Sequence, residues 1–102
     1  MGLFGNKGID AGVQQFKATE GAILLDVRTP GEYADGHIPG AVNVPLNTMN
    51  KETANMFPQD TPLFLYCQSG ARSSRAAKMM KLLGYTNVTN IGGIMNYNGP
   101  IE

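Results

Sequence analysis

The sequence contains no tryptophan, and cysteine and histidine each occur only once among its 102 residues. A single cysteine excludes an internal disulfide bond and a zinc site built from several cysteines. A single histidine argues against most other metal sites. We therefore expect no resident metal ion and no cofactor, and the one cysteine, Cys67, becomes the first residue to examine for chemistry of its own.

Net charge is also absent, because eight Lys and Arg residues balance eight Asp and Glu residues. Such a chain has no overall field to attract nucleic acid or an anionic membrane, and we expect neither as a partner. No apolar run approaches the roughly 20 residues of a membrane span. The segment 1–5 is too short and uncharged for a secretory signal. These features, with an unpaired cysteine, favour a cytoplasmic location.

Length and composition fit one domain, since the chain has 102 residues of which 42% are hydrophobic. We predict a loose lead-in over residues 1–9 and one domain over 10–102. Asp10 is expected to cap a helix over 11–19. Short strands are predicted over 22–27, 41–44, 63–66 and 88–91, and helices from 30 towards 36, over 47–56 and over 74–83. This alternation predicts an α/β fold with a mainly parallel sheet.

Two of these elements carry specific signals. Residues 29–32 (TPGE) form a capping-box pattern with proline at the first helical position. In the helix over 74–83, the inward face is predicted to consist of Ala76, Met79, Met80 and Leu83. Three basic residues, Arg75, Lys78 and Lys81, recur on another side and are interpreted as a solvated face.

Cys67 lies between the strand over 63–66 and the helix that follows. Backbone N–H groups are unpaired at such a turn, and the helix dipole is positive there. Arg72 adds a full charge. A loop that points several N–H groups at the sulfur favours an anion, so we expect the thiol pKa to lie below the ordinary value of about 8.5.

Four segments together resemble the rhodanese family. Residues 24–33 (LLDVRTPGEY) and 36–45 (GHIPGAVNVP) are similar to its paired upstream signatures, residues 67–73 (CQSGARS) to its active-site loop, and residues 92–94 (GGI) to its closing motif. The resemblance implies a rhodanese-like single domain whose mainly parallel, five-stranded sheet is flanked by helices.

The same resemblance implies a sulfurtransferase. Cys67 is then the nucleophile that carries sulfur as a persulfide, and the anion cradle for substrate is formed by Gln68, Ser69, Gly70, Ala71, Arg72 and Ser73. The implied partners are a small sulfur donor, thiosulfate or a persulfide, and a thiol or cyanide acceptor, with a sulfur-accepting protein as a further possibility. A thiolate needs no general base, so the absence of a Cys-His-Asp motif is no objection.

The chain departs from the family pattern at two positions. Tyr97 stands where many relatives carry tryptophan. Glu32 stands where two-domain thiosulfate sulfurtransferases tend to carry a substrate-binding arginine, and it could oppose a dianionic donor. If its carboxylate turns towards the helix end as part of the capping box, that opposition weakens. On balance we expect weak use of thiosulfate and better use of low-molecular-weight persulfides.

Other interpretations remain open at this stage. A phosphatase or arsenate reductase also surrounds an anion with a Cys–Arg loop, but theirs has five intervening residues where this one has four. A non-catalytic module that accepts a persulfide or docks a partner is the alternative of another class. Three nearby polar residues, Asp26, Arg28 and His37, are interpreted as structural braces with no task in the chemistry.

Overall fold

The computed structural model describes the backbone of residues 3–102 and the side chains of residues 8–102. Its main elements, in chain order, are α1 (Leu3–Ala18), β1 (Ile23–Asp26), α2 (Pro30–Asp35), β2 (Val42–Asn43), β3 (Leu63–Cys67), α3 (Ala71–Leu82) and β4 (Val88–Gly93). Short 3₁₀ helices cover Leu46–Thr48, Lys51–Asn55 and Ile94–Asn96. The predicted α/β class is confirmed.

Within residues 3–102 the sheet has four strands in the order β2-β1-β3-β4, and every pairing is parallel. The expected five-stranded sheet is therefore wrong in its strand count. The chain before β1 forms helix α1 instead, and residues 3–9 lack the alternation of polar and apolar residues that a half-buried strand requires. The four strands place the carboxyl end of β3 between those of β1 and β4.

Both faces of the sheet are covered, which explains why its two central strands are almost entirely apolar. Alternate residues of β1 and β3 point to opposite sides. Leu25 and Leu65 join α3 in one core cluster, whereas Leu24 and Phe64 join α1 in the other. The central strand β3 is buried along its whole length, so its last residue reaches the sheet edge from inside the core.

The first helix differs from its prediction. It begins at Leu3, changes direction at Gly8, where φ is 47°, and ends at Ala18. Asp10 lies inside it rather than at its N-cap, and the Asp10 carboxylate accepts hydrogen bonds from the backbone and side-chain amides of Asn98 at 2.9 and 2.8 Å. Residues 1 and 2 of the predicted lead-in lie outside the described residues, and the domain boundary at residue 10 stays a prediction.

The predicted helix over 47–56 is replaced by two 3₁₀ helices. Asn50 interrupts the segment, because its side chain accepts the Glu52 N–H at 2.8 Å and begins a new turn. In α3 the inward face contains Ala76, Ala77 and Met80, whereas Met79 is 37% exposed. The predicted inward face was therefore wrong by a rotation about the helix axis. The buried residues, at helical spacing, are 73, 76, 77 and 80.

Among the described helices, none has the length and hydropathy needed to cross a membrane.

Candidate active site

Cys67 is the last residue of the buried central strand β3, and its side chain is fully buried. The chain then reverses through Gly70, whose φ of 105° is readily adopted only by glycine. This conformation aims the Gly70 N–H at the sulfur, with an N–Sγ distance of 2.9 Å. Helix α3 begins immediately afterwards at Ala71, so Arg72 and Ser73 belong to its first turn and not to a preceding loop as predicted.

The surroundings of Cys67 favour its thiolate. Burial raises the pKa of the thiol, but the side chain and N–H of Ser73 and the N–H groups of Gly70 and Ser69 lower it, and the net effect is a lowered pKa. Hydrogen-bond donors that face an ionised group stabilise the charged form. The direction expected from the sequence agrees with this geometry. The strongest contributions that lower the pKa come from Ser73, which the resemblance named only as one of the six cradle residues.

Arg72 is held by Glu32. The two side chains form a bidentate ion pair, in which Nη1–Oε1 is 2.7 Å and Nη2–Oε2 is 2.9 Å. This pair is the main reason that the pKa of Arg72 is raised, and the nearby Cys67 contributes to a smaller degree. The cation of the loop is therefore close enough to interact with the thiolate, but a carboxylate already occupies its hydrogen-bonding fork.

Glu32 has a second task in the capping box of α2. Its backbone N–H donates to Thr29 Oγ1 at 3.2 Å, and its Oε1 accepts the Thr29 N–H at 3.0 Å. These bonds and the one to Arg72 hold the pKa of the Glu32 carboxyl at about 2, with Arg72 as the largest cause. The capping box is confirmed. The idea that capping turns the carboxylate away from the site is wrong, because one carboxylate serves both partners.

A buried network braces the other side of the loop. Arg28 forms an ion pair with fully buried Asp26 at 2.8 Å and donates to the Gly36 carbonyl oxygen at 2.6 Å. Its Nη1 donates to Gln68 Oε1 at 3.3 Å. The bracing role predicted for Asp26 and Arg28 is confirmed. This contact also gives Gln68 a structural role, because its side chain joins the cysteine loop to Arg28.

The closing segment packs directly under the loop. A Cβ atom on Gly93 would overlap the Gln68 carbonyl oxygen and lie 2.6 Å from Ser69 Cα. The Met95 N–H donates to that same Gln68 oxygen at 3.1 Å. The resemblance identified residues 92–94 only as a closing motif, and the structure shows that glycine is needed at Gly93 for close backbone approach.

Sequence reasoning missed Asn90. The Ser73 hydroxyl has one proton and more than one candidate acceptor, because its oxygen lies 2.7 Å from Asn90 Oδ1 as well as beside the Cys67 sulfur. Asn90 Oδ1 also accepts the Gly92 N–H at 3.0 Å. Asn90 Nδ2 lies 3.4 Å from the Gly70 carbonyl oxygen. The amide thus joins β4 to the start of α3. An asparagine near the end of a strand carries no signal for this role until its neighbours in space are known.

His37 contacts residues outside the cysteine loop. Its Nδ1 lies 3.0 Å from the Tyr33 carbonyl oxygen, and its ring stacks on the Tyr33 ring with a centroid distance of 3.8 Å. Its Nε2 lies 3.5 Å from Glu102 Oε1. The predicted structural role of His37 is confirmed by these contacts.

The predicted loop residues therefore differ in their positions. Ser69, Gly70 and Ser73 supply donors to the sulfur, and Arg72 lies beside it in the pair with Glu32. Ala71 is exposed at the start of α3. The arrangement can stabilise a thiolate or a bound sulfur anion at the end of a buried strand, where parallel α/β sheets bind ligands.

Comparison with known proteins shows to which family the chain belongs. The Rhodanese-like domain family model matches residues 11–99. The chain belongs to the rhodanese-like family. It is 39% identical to a sulfurtransferase of Allochromatium vinosum, over 80% of this chain and 77% of that protein. Among solved structures, a rhodanese with anions from Escherichia coli superposes with a TM-score of 0.69 and is 29% identical, covering 79% of this chain and 96% of the other.

Some relatives of this rhodanese-like chain are longer. The uncharacterized protein YqhL of Bacillus subtilis is 43% identical across 79% of this chain, which spans 64% of YqhL. The putative sulfur carrier protein YrkF of the same organism is 36% identical across 92% of this chain, which spans 51% of YrkF. The sulfurtransferase and the putative sulfur carrier among these relatives support sulfur transfer as the general activity of the family to which the chain belongs.

Proposed function

We propose that the protein is a sulfurtransferase that moves sulfane sulfur from a persulfide or thiosulfate to a thiophilic acceptor through a persulfide on Cys67. The observation that carries this proposal is the set of hydrogen-bond donors around the Cys67 sulfur, which lowers its pKa despite complete burial. A thiolate is the form of cysteine that attacks sulfur. The names of the relatives supply the identity of the transferred group.

The first step is an attack on the outer sulfur of the donor. The Cys67 thiolate uses an electron pair to form a new S–S bond, and the donor's own bond to its outer sulfur breaks. That electron pair leaves with sulfite from thiosulfate, or with a thiolate from a persulfide. The donors from Ser69, Gly70 and Ser73 then face the anionic terminus of the Cys67 persulfide.

The second step transfers the sulfur from Cys67 to the acceptor. An acceptor thiolate or cyanide attacks the outer sulfur of the Cys67 persulfide, the bond to Cys67 Sγ breaks, and the electron pair returns to the thiolate that the loop stabilises. No proton has to be removed from Cys67 in either step. His37, whose contacts are with Tyr33 and Glu102, therefore needs no part in the mechanism.

The donor preference follows from Arg72. Thiosulfate carries two negative charges, and Glu32 already fills the hydrogen-bonding fork of Arg72. A dianion must therefore displace the carboxylate or bind beside it, and either alternative costs electrostatic energy. A persulfide brings only one charge to the sulfur site. We propose that low-molecular-weight persulfides are better donors than thiosulfate, and that the protein works in the cytoplasm, where reducing conditions keep Cys67 free.

Steady-state turnover tests the proposal. Purified protein should catalyse sulfur transfer from glutathione persulfide, and from thiosulfate at high concentration, to cyanide. The Cys67→Ser variant should keep the fold and lose the activity of both reactions. If that variant retains activity within about tenfold of the parent, a free-energy difference near 1.4 kcal/mol, the assignment of Cys67 as carrier is wrong.

A sulfur carrier that passes its sulfur to a protein is the second candidate, favoured by the similarity to the putative sulfur carrier YrkF. The two candidates differ in their kinetics with small acceptors. A carrier would accept one sulfur on Cys67 and hold it in the presence of cyanide or small thiols, whereas an enzyme releases it repeatedly. Multiple turnovers with a small acceptor would favour the enzyme.

A further inference from the structure

A second feature lies beside the cysteine loop and has no part in the proposed chemistry so far. It is a cavity of about 290 Å³ between the end of β1, the segment after β2 and the first two turns of α3. Its lining combines three apolar residues with two cations, one amide and one hydroxyl, namely Val27, Pro45, Leu46, Arg72, Arg75, Asn47 and Thr29. We call it the arginine cavity.

The arginine cavity shares residues with the surroundings of the Cys67 sulfur. Val27 and Leu46 pack in the same core cluster as Cys67. Arg72 lines the cavity and also interacts electrostatically with Cys67. A molecule whose sulfur reaches Cys67 can therefore place the rest of its body here. Thiosulfate is too small to reach from the sulfur into a separate cavity, whereas a thiol or persulfide with a side chain can do so.

The charge of the cavity is carried by Arg75. Arg72 is paired with Glu32 on both of its terminal nitrogens. None of the ion pairs found among the side chains of residues 8–102 involves Arg75, which is exposed one helical turn after Arg72. The cavity thus offers one uncompensated cation beside apolar walls. This combination favours a short apolar body that ends in a carboxylate.

The volume of the arginine cavity limits the size of the ligand that it can bind. Pockets for drug-sized molecules usually measure about 300–1,000 Å³, and the arginine cavity lies just below that range. An amino-acid-sized group or a short peptide fits this volume, and a folded partner does not enter it.

We propose that the arginine cavity binds the body of a carboxylate-bearing low-molecular-weight thiol or its persulfide, with Arg75 as the partner of the carboxylate. This proposal rests on the sulfurtransferase function proposed above and names the substrate class at that site. As acceptor, the thiolate attacks the outer sulfur of the Cys67 persulfide, the S–S bond to Cys67 breaks, and its electron pair returns to Cys67. The acceptor leaves as a persulfide with its carboxylate unchanged.

From the sequence, we interpreted Arg75, Lys78 and Lys81 as one solvated face. We now revise that interpretation for Arg75. Arg75 lines the cavity, whereas Lys78 is exposed one turn farther along α3 and is not part of the lining. Lys78 is therefore a matched control. Its replacement removes the same charge from the same helix without changing the cavity.

The kinetic test compares two acceptors that differ in one charge, N-acetylcysteine and its methyl ester, with thiosulfate as the donor. Arg75→Gln should raise KM for N-acetylcysteine about tenfold with kcat within about twofold, and leave KM for the ester unchanged. Lys78→Gln should change neither KM. Equal effects of Arg75→Gln on both acceptors, or no effect on either, would overturn the proposal.

A binding experiment separates this proposal from the proposed function. S-methyl-N-acetylcysteine has no reactive sulfur and can be titrated into the protein while backbone amide signals are followed by NMR. We expect shifts at residues 46, 47 and 75, and about tenfold weaker binding to Arg75→Gln than to Lys78→Gln. Absence of binding, or equal binding to both variants, would overturn the cavity assignment. Failure of Cys67 to accept sulfur would overturn the sulfurtransferase function while such binding persists.

Discussion

Arg72 and Glu32, 40 residues apart in sequence, meet in a bidentate ion pair with N–O distances of 2.7 and 2.9 Å near Cys67. The pair joins the start of α2 to the start of α3. Its side chains are 31% and 33% exposed, so solvent reaches it, and a competing anion can reach it too. This relationship determines how much of the Arg72 charge is available to a donor.

Removing the carboxylate should improve thiosulfate binding. Glu32→Gln keeps an oxygen that can accept the Thr29 N–H and leaves Arg72 free to bind the dianion, so KM for thiosulfate should fall about three- to tenfold. KM for glutathione persulfide should change by less than about twofold. Asp35→Asn, which removes an exposed charge from the same helix, serves as control. An unchanged KM for thiosulfate in Glu32→Gln would contradict this explanation of donor preference.

The same variant predicts a pH dependence of stability. The folded pKa of Glu32 is about 2, below the ordinary value of 4.5. A depressed carboxyl pKa stabilises the folded state above pH 4.5, and this stabilisation is lost as the pH falls towards 2. The difference in unfolding free energy between the parent and Glu32→Gln should therefore be constant above pH 5 and shrink from pH 4.5 to 2, as urea unfolding can measure. A constant difference down to pH 2 would refute the low pKa.

Ser73 should control the acidity of the thiol. Its side chain and N–H make the largest contributions that lower the pKa of Cys67. A hydrogen bond to a charged group stabilises the charged form, so removal of the hydroxyl in Ser73→Ala should raise the thiol pKa. The pH dependence of alkylation by iodoacetamide measures it. Ser74→Ala, at an exposed neighbouring position, should leave the pKa unchanged. Equal pKa values in both variants would exclude the Ser73 hydroxyl as a donor.

Gly93 should be needed for the shape of the loop. Its missing Cβ makes room for Gln68 and Ser69. Gly93→Ala should lower the unfolding free energy by about 1–3 kcal/mol, as overpacking does, and reduce sulfur transfer. Gly31→Ala, where a Cβ meets no atom within 4 Å, should be neutral or slightly stabilising. If Gly93→Ala matches Gly31→Ala in stability and activity, the loop does not depend on this close approach.

Local signals made much of the fold predictable. The strand that ends at Cys67 is apolar throughout because both of its faces are covered, and the capping box at Thr29 satisfies its own helix end. The N-cap assigned to Asp10 was wrong because its carboxylate binds Asn98, which lies 88 residues away. A partner at that separation leaves no periodic trace in the sequence.

In the candidate site, too, local features could be predicted from the sequence and contacts between distant residues could not. The strand–turn–helix frame and the resemblance pointed to Cys67 and its loop. The sequence could not show that Glu32 binds Arg72, that Asn90 holds Ser73, or that Gly93 is packed under Gln68. Each of these contacts joins two elements whose approach depends on the whole sheet. The part played by Arg75 was hidden for a further reason, since an exposed cation on a helix usually faces only solvent.

The central claim is that Cys67 carries the transferred sulfur, and intact mass spectrometry tests it most directly. After incubation with glutathione persulfide and removal of the donor, the protein should gain one sulfur atom, about 32 Da, and lose it again when cyanide is added. Cys67→Ser should show no gain. A parent protein that turns over donor and acceptor without any mass gain on Cys67, or a Cys67→Ser variant that gains the same mass, would contradict the account.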